Sequence, residues 1–349
     1  MLIHGGDLTG FEEKYGLRPL DFSVNTNPFG LSPMAAEALS RATERASEYP
    51  DVLYRRLRSA IASHEAVGSE QVVCGNGAAE LIWRICLTLR PRKALLAVPC
   101  FAEYEAALRF AGSNIEYHYL RKEKGFVLGN DILPQIKNAD IVFLCSPNNP
   151  TGLCINPGLL SEICSCCNLH GTTLVMDECF LGFLPDGEKR SLKSHLSRCP
   201  GLIILKAFTK LYGMAGLRLG YALCGDCDLA GSIMSAGQCW PISTAAEDAG
   251  IAALSDTAFV KKTLAFLPDE RRRVKLAMEK LGLDVYPGEA NFLFFRSDLP
   301  HLGEALAERG ILIRRCGNYP GLDGSYYRAA ILTGEKNDRL LAALNDIRR

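Results

Sequence analysis

The chain predicts an α/β fold with a large, mainly parallel sheet covered on both faces and a smaller α+β domain behind it. Two observations carry this. Between residues 72 and 224, short apolar runs alternate with amphipathic stretches, the pattern of buried parallel strands joined by helices. After residue 245 the pattern changes to helix, then to short strands mixed with helices. With 349 residues, 48% of them hydrophobic and 22% charged, the chain can bury a sizeable core.

Taken in order, the residues before Ser32-Pro33 are rich in Gly, Pro and Asn and read as irregular, and Ser32 caps a helix that Pro33 opens. Residues 81–89 read as helix, 93–98 as strand, 104–111 as helix and 115–119 as strand. Residues 141–145 form a strand that stops at Pro147, 159–169 a helix, and 172–176, 202–205 and 219–223 strands. Pro268 should kink or restart the helix that follows residue 245. Beyond it come strands at 290–296, 311–315 and 328–332 and helices at 302–309 and 337–347. The expected boundaries are an N-terminal segment over 1–40, packing on the small domain and active site, a large domain over 41–250 and a small domain over 251–349.

Bulk properties exclude several functions. A formal net charge of zero argues against nucleic acid as a partner. No apolar run is long enough to span a bilayer, and Met1-Leu-Ile-His-Gly-Gly6 lacks a basic n-region and an apolar h-region. The 14 cysteines read as thiols of a cytoplasmic chain. Cys164/Cys167 and Cys224/Cys227 have zinc-like spacing, but scattered buried thiols explain them better, so no metal is expected.

Five segments carry chemistry. Lys210 follows an apolar run and Thr209, and Arg218 sits eight positions later. A lone amine beside a fixed guanidinium suits a lysine that forms an imine next to a phosphate anchor, as pyridoxal 5'-phosphate (PLP) chemistry requires. Gly77 and Ala78 lie where a helix opens after a strand, a phosphate-binding arrangement. Phe101, just past a strand end, offers a flat face for a ring. Asn149, in Ser146-Pro-Asn-Asn-Pro-Thr-Gly152, follows another strand end and can donate its amide to a phenolate-like oxygen. Asp177 closes an apolar strand, where a carboxylate needs a cation such as a pyridinium N–H.

In this order, Asn-Asn-Pro-Thr-Gly, Asp-Glu-x-Phe and Thr-Lys-x-x-x-x-x-Gly-Leu-Arg-Leu-Gly-Tyr make the chain resemble the fold-type I PLP enzymes. Among these it resembles the branch that contains the histidinol-phosphate aminotransferases. The resemblance implies the fold-type I PLP-dependent transferase fold, whose large domain holds a seven-stranded sheet. It implies that Lys210 bonds the cofactor, Asp177 pairs with the pyridine nitrogen, Asn149 holds the ring O3′ and Phe101 stacks on the ring. Gly77, Ala78, Thr209 and Arg218 would hold the cofactor phosphate. Tyr54 matches a tyrosine that reaches the phosphate from a partner subunit, which implies a homodimer with shared active sites.

Within the branch, His4-Gly-Gly-Asp-Leu8, the segment 20–30, Ile313-Arg-Arg-Cys-Gly-Asn-Tyr-Pro-Gly-Leu322 and Phe180 resemble the threonine-phosphate decarboxylases of cobalamin biosynthesis. The aminotransferases usually carry a tyrosine at the position of Phe180. Leu332 stands where an arginine is common, Ala207 replaces a frequent phosphate-binding serine, and Arg315 replaces a common aspartate. A phosphorylated amino acid presents two anions, which Arg314 and Arg328 suit, with His4 and Asn25 as added donors. If those residues hold the phosphate end, the carboxylate can be turned out of the cofactor plane and lost as CO₂. A serine-phosphate decarboxylase and a histidinol-phosphate-type aminotransferase are the other readings.

Overall fold

The computed structural model describes residues 4–349. Its large sheet contains β1 (Val72–Gly75), β2 (Lys93–Val98), β3 (Asn114–Tyr119), β4 (Ile141–Cys145), β5 (Thr173–Asp177), β6 (Leu202–Ala207) and β7 (Gly220–Cys224), in the order β1-β7-β6-β5-β4-β2-β3. β7 runs antiparallel to β1 and β6, and the other pairings are parallel. Every residue of β4 is buried, which is why it reads as an unbroken apolar run. The edge strand β3 is mostly half-buried or exposed.

A second, antiparallel sheet pairs Arg314–Arg315, Tyr326–Ala330, Phe292–Arg296 and Asp284–Val285 in that order. It has its own core, in which Phe22, Phe292, Phe295 and Leu302 are almost fully buried. The N-terminal segment is stitched to this sheet. Leu20–Asp21 pairs in parallel with Ile311–Leu312, and the Ala330 N–H donates to the Phe22 carbonyl at 2.9 Å.

Three expectations change. The first forty residues hold a helix, Leu8–Tyr15, capped by Asp7 and closed by Gly16 at φ 70°. The run expected at 311–315 divides between two sheets at Ile313, and the last strand begins earlier, at Tyr326. Helix Thr257–Lys280 continues through Pro268. The proline removes one backbone donor, but Phe259, Thr263, Leu267, Val274 and Met278 form one buried stripe on both sides of it, and that packing outweighs a cost of about 3 kcal/mol.

The break falls instead at Asp256, between helix Thr244–Ser255 and helix Thr257–Lys280. Its carboxylate accepts from the Phe259 N–H at 3.1 Å, the Ser32 hydroxyl at 2.6 Å and the Met34 N–H at 3.3 Å. One side chain therefore caps the long helix and ties it to the start of helix Pro33–Ala42. Asp256→Ala should lower stability by about 1–3 kcal/mol, read as a fall in Tm, because it removes a cap and strands the buried Ser32 hydroxyl.

Candidate active site

β4, β5 and β6 run parallel, so their carboxyl ends open on one edge of the sheet, where such folds bind ligands. A cavity of about 340 Å³ lies there, and Asn149, Asp177, Thr209, Lys210 and Arg218 all line it. Three segments distant in sequence thus meet because parallel strands deliver their ends together, and Arg218 joins them just before the antiparallel β7.

β6 leads directly into Thr209 and Lys210. Its end is fixed from behind by Glu65, a carboxylate with 1% side-chain exposure that accepts from Lys206 Nζ at 2.9 Å and from the Tyr221 hydroxyl at 2.5 Å. Burial pushes the Glu65 carboxyl up, but Lys206 and Tyr221 outweigh it and hold it at about 2. The Lys210 amine lies 5.5 Å from the Phe180 ring centroid. Burial, reinforced by the Arg328 charge, pulls it from 10.5 down to about 8.

Arg218 stands at the head of helix Gly77–Leu89, whose Asn76 cap position makes no side-chain bond to the first turn. Those N–H groups remain available to an anion. Gly77 has φ +80°, and a Cβ there would lie 2.7 Å from Arg218 Nη2. A Cβ on Gly220 would lie 2.5 Å from the Ala78 nitrogen. Guanidinium, helix start and β7 come this close only through glycine.

Asp177 is fixed at both oxygens. The Tyr104 hydroxyl donates to Oδ2 at 2.5 Å, and the Cys179 N–H donates to Oδ1 at 2.9 Å. Tyr104 is fully buried and stacks on Phe143 at 5.1 Å. Phe101 sits edge-on to Tyr104 at 5.7 Å and lines the cavity.

The opposite wall is cationic. Buried Arg328 donates through Nη1 to Asn149 Oδ1 and through Nη2 to the Ser23 carbonyl at 2.7 Å. With its amide oxygen turned toward Arg328, Asn25 accepts from Nη1 at 3.2 Å and Nε at 3.1 Å. Each of these partners is neutral. Arg314 donates to Asn318 Oδ1 at 2.9 Å and lies over the Tyr319 ring. His4 lines the same cavity, with Nε2 2.7 Å from Glu103 Oε1.

The chain matches the aminotransferase class I and II family over residues 18–344. It is 38% identical to the threonine-phosphate decarboxylase of Salmonella typhimurium, over 99% of this chain and 96% of that one. It is 32% identical to a histidinol-phosphate aminotransferase of Nitratidesulfovibrio vulgaris, over 99% and 93%. The crystal structure of the histidinol-phosphate aminotransferase from Clostridium acetobutylicum superposes with a TM-score of 0.88 at 31% identity, over 94% of this chain and 99% of that one.

The chain belongs to the aminotransferase class I and II family.

The cofactor of this class I and II enzyme is pyridoxal 5'-phosphate, and its residues fit that group. An uncapped helix start and a glycine with no room for a Cβ suit a phosphate. A carboxylate fixed by two donors suits a pyridinium. Arg328 occupies Asn149 Oδ1, which leaves the Asn149 N–H groups to donate to a ring oxygen.

Of the residues expected at the site, Tyr54 is the one set apart. It is buried, and its hydroxyl donates to the Ile242 carbonyl and accepts from the Ile242 N–H, both at 3.0 Å. Gly77 backs Arg218. Arg315 pairs with Glu304 at 2.6 Å and stands outside the cavity. Tyr104, Cys179, Ser23 and Tyr319 belong to the site but were not expected there. Tyr104 follows Phe101 by one helical turn, a spacing that signals a shared face, yet a helical aromatic reads as core.

The depressed Lys210 value is a stability statement. Between about pH 8 and 10.5 the unfolded chain binds a proton at Lys210 that the folded chain does not, so the cofactor-free protein gains stability as pH rises through that window. Below pH 8 the full cost applies, about 3 kcal/mol for a shift of this size. Cofactor-free Lys210→Met should therefore melt higher than the wild type at pH 7, with the gap closing toward pH 10.5. Equal Tm values at pH 7 would contradict this.

Proposed function

We propose that the enzyme decarboxylates L-threonine O-3-phosphate to (R)-1-aminopropan-2-yl phosphate, a side-chain precursor in cobalamin biosynthesis. The observation that carries this reading is Arg328: a buried guanidinium held by amides and a carbonyl rather than by a carboxylate. Its charge awaits an anion. Arg314 lines the same cavity, so two guanidinium groups meet a substrate with two anionic ends. The 38% identity to a threonine-phosphate decarboxylase supports the same choice.

PLP, when bound, supplies an electron sink for the bond broken at the substrate's Cα. Asp177 would hold a proton at the pyridine nitrogen, Asn149 would donate to the ring oxygen, and Phe101 would cover a ring face. Gly77, Ala78, Thr209 and Arg218 would hold the cofactor phosphate. Arg314, Arg328, Asn25 and His4 grip the substrate's two anions, which sets the direction in which its carboxylate leaves. Lys210, near neutrality in its titration, delivers a proton to Cα once CO₂ has gone.

The division 1–40, 41–250 and 251–349 is part of this reading, as is a cytoplasmic homodimer in which Tyr54 serves the partner's site. Exposed Tyr49, Val52 and Trp240 around Tyr54 support an interface there. The 14 unpaired cysteines support a reducing compartment. No helix among the described residues is long and apolar enough to cross a membrane.

Purified enzyme with PLP and phosphothreonine should release CO₂ and form the amine phosphate. Lys210→Ala should slow this by at least about 10²–10⁴-fold, and Arg328→Lys, which keeps charge but loses the fork, by about 10–100-fold in kcat/KM. A keto product without CO₂ would instead identify an aminotransferase, the activity named for the relative at 32% identity. Serine phosphate differs by one methyl, worth about 1–3 kcal/mol, so relative kcat/KM on the two substrates decides between them.

A further inference from the structure

Residues 4–6 form a strap beside the cavity, with His4 and Gly5 among its lining residues. One end is tied to the N-terminal side of the site: the Gly6 N–H donates to Ser23 Oγ at 2.8 Å, and the Ser23 carbonyl accepts from Arg328 at 2.7 Å. Gly5 passes so close that a Cβ would lie 2.6 Å from the Ser23 carbonyl oxygen. The other end reaches the large sheet's side through His4 and Glu103, on helix Ala102–Phe110.

Glu103 is not an ordinary surface carboxylate. Its Oε2 accepts from the Trp83 indole N–H at 2.8 Å, while Oε1 faces His4 Nε2 at 2.7 Å. Trp83 lies on helix Gly77–Leu89, the helix that begins at the phosphate cradle. An exposed ion pair loses most of its value to the ordering of two flexible chains. Here one partner is already ordered, with its side chain 22% exposed. The His4 ring also packs 5.5 Å from the Phe101 ring.

We propose that Glu103 is a positioning residue: it latches the strap beside the cavity and orients the His4 imidazole for the substrate's phosphate. This rests on the reading of a phosphorylated amino acid as substrate. An ionised carboxylate only accepts hydrogen bonds, so Nε2 must carry the proton it donates to Glu103, leaving Nδ1 for the substrate. Only the imidazolium has an N–H at both nitrogens, so the chain carboxylate–imidazolium–phosphate uses the ring fully. Glu103 thereby acts on substrate selection through His4, without touching substrate itself.

Two measurements on the PLP-loaded enzyme test this. The first is amide hydrogen exchange over residues 5–10, which does not depend on substrate. Exchange should quicken several-fold in Glu103→Gln and stay unchanged in Glu105→Gln, whose carboxylate serves Arg109 instead. Equal exchange in Glu103→Gln and wild type overturns the latch whatever the substrate proves to be. The second is calorimetric binding of 3-(phosphonooxy)butanoate, which has the substrate's two anions and no amine. Kd should rise about tenfold in Glu103→Gln and in His4→Ala, no further in the double variant, and less in Glu103→Asp. Binding of 3-hydroxybutanoate should not change. Additive losses, or an equal loss for 3-hydroxybutanoate, overturn the orienting role. If the wild type fails to bind the phosphorylated analogue but the exchange result holds, the substrate reading falls and the latch stands.

Discussion

An excess of positive charge, part of it at buried groups, governs this site. Lys210, Arg218, Arg314 and Arg328 line one cavity, and Asp177 is the single carboxylate among its described lining residues. Such an arrangement is costly in the empty protein, as the depressed Lys210 and Arg328 values record. It becomes favourable once the dianionic cofactor enters and, on the proposed function, an anionic substrate follows. The surrounding structure is what makes the cost tolerable.

That support is built from neutral dipoles on one wall and one buried carboxylate behind the other. Asn25, Asn149 and the Ser23 carbonyl hold Arg328 without cancelling its charge. Glu65 neutralises Lys206, four positions before Lys210, and so anchors the strand without drawing on the charge of the site. Placing the counter-ion one layer back separates fold stability from ligand attraction.

Much of this was legible in the sequence because it is local. β2 and β4 match their expected bounds, since continuous apolar runs ending at Pro or Gly leave little choice. Lys210, Asp177, Asn149 and Arg218 were readable because each sits at a strand end or helix start with a distinctive neighbour. What escaped is non-local. Tyr104 reads as core until Asp177, 73 residues away, is placed against its hydroxyl. Glu103 reads as a solvated helix residue until His4 is placed against it. Pro268 reads as a helix break because the pattern does not reveal how firmly the stripe from Phe259 to Met278 is held.

The stitching of the N-terminal segment has a kinetic consequence. Leu20 pairs with Ile311, and Ser23 meets Arg328, 305 residues away. The segment around Leu20–Ser23 therefore cannot dock until Ile311 and Arg328 have been made. The large sheet, with its neighbouring-strand contacts, can condense earlier. The residues that suit the cofactor, at the strand ends of the large sheet, would thus be assembled before Arg314 and Arg328 close the cavity's other wall.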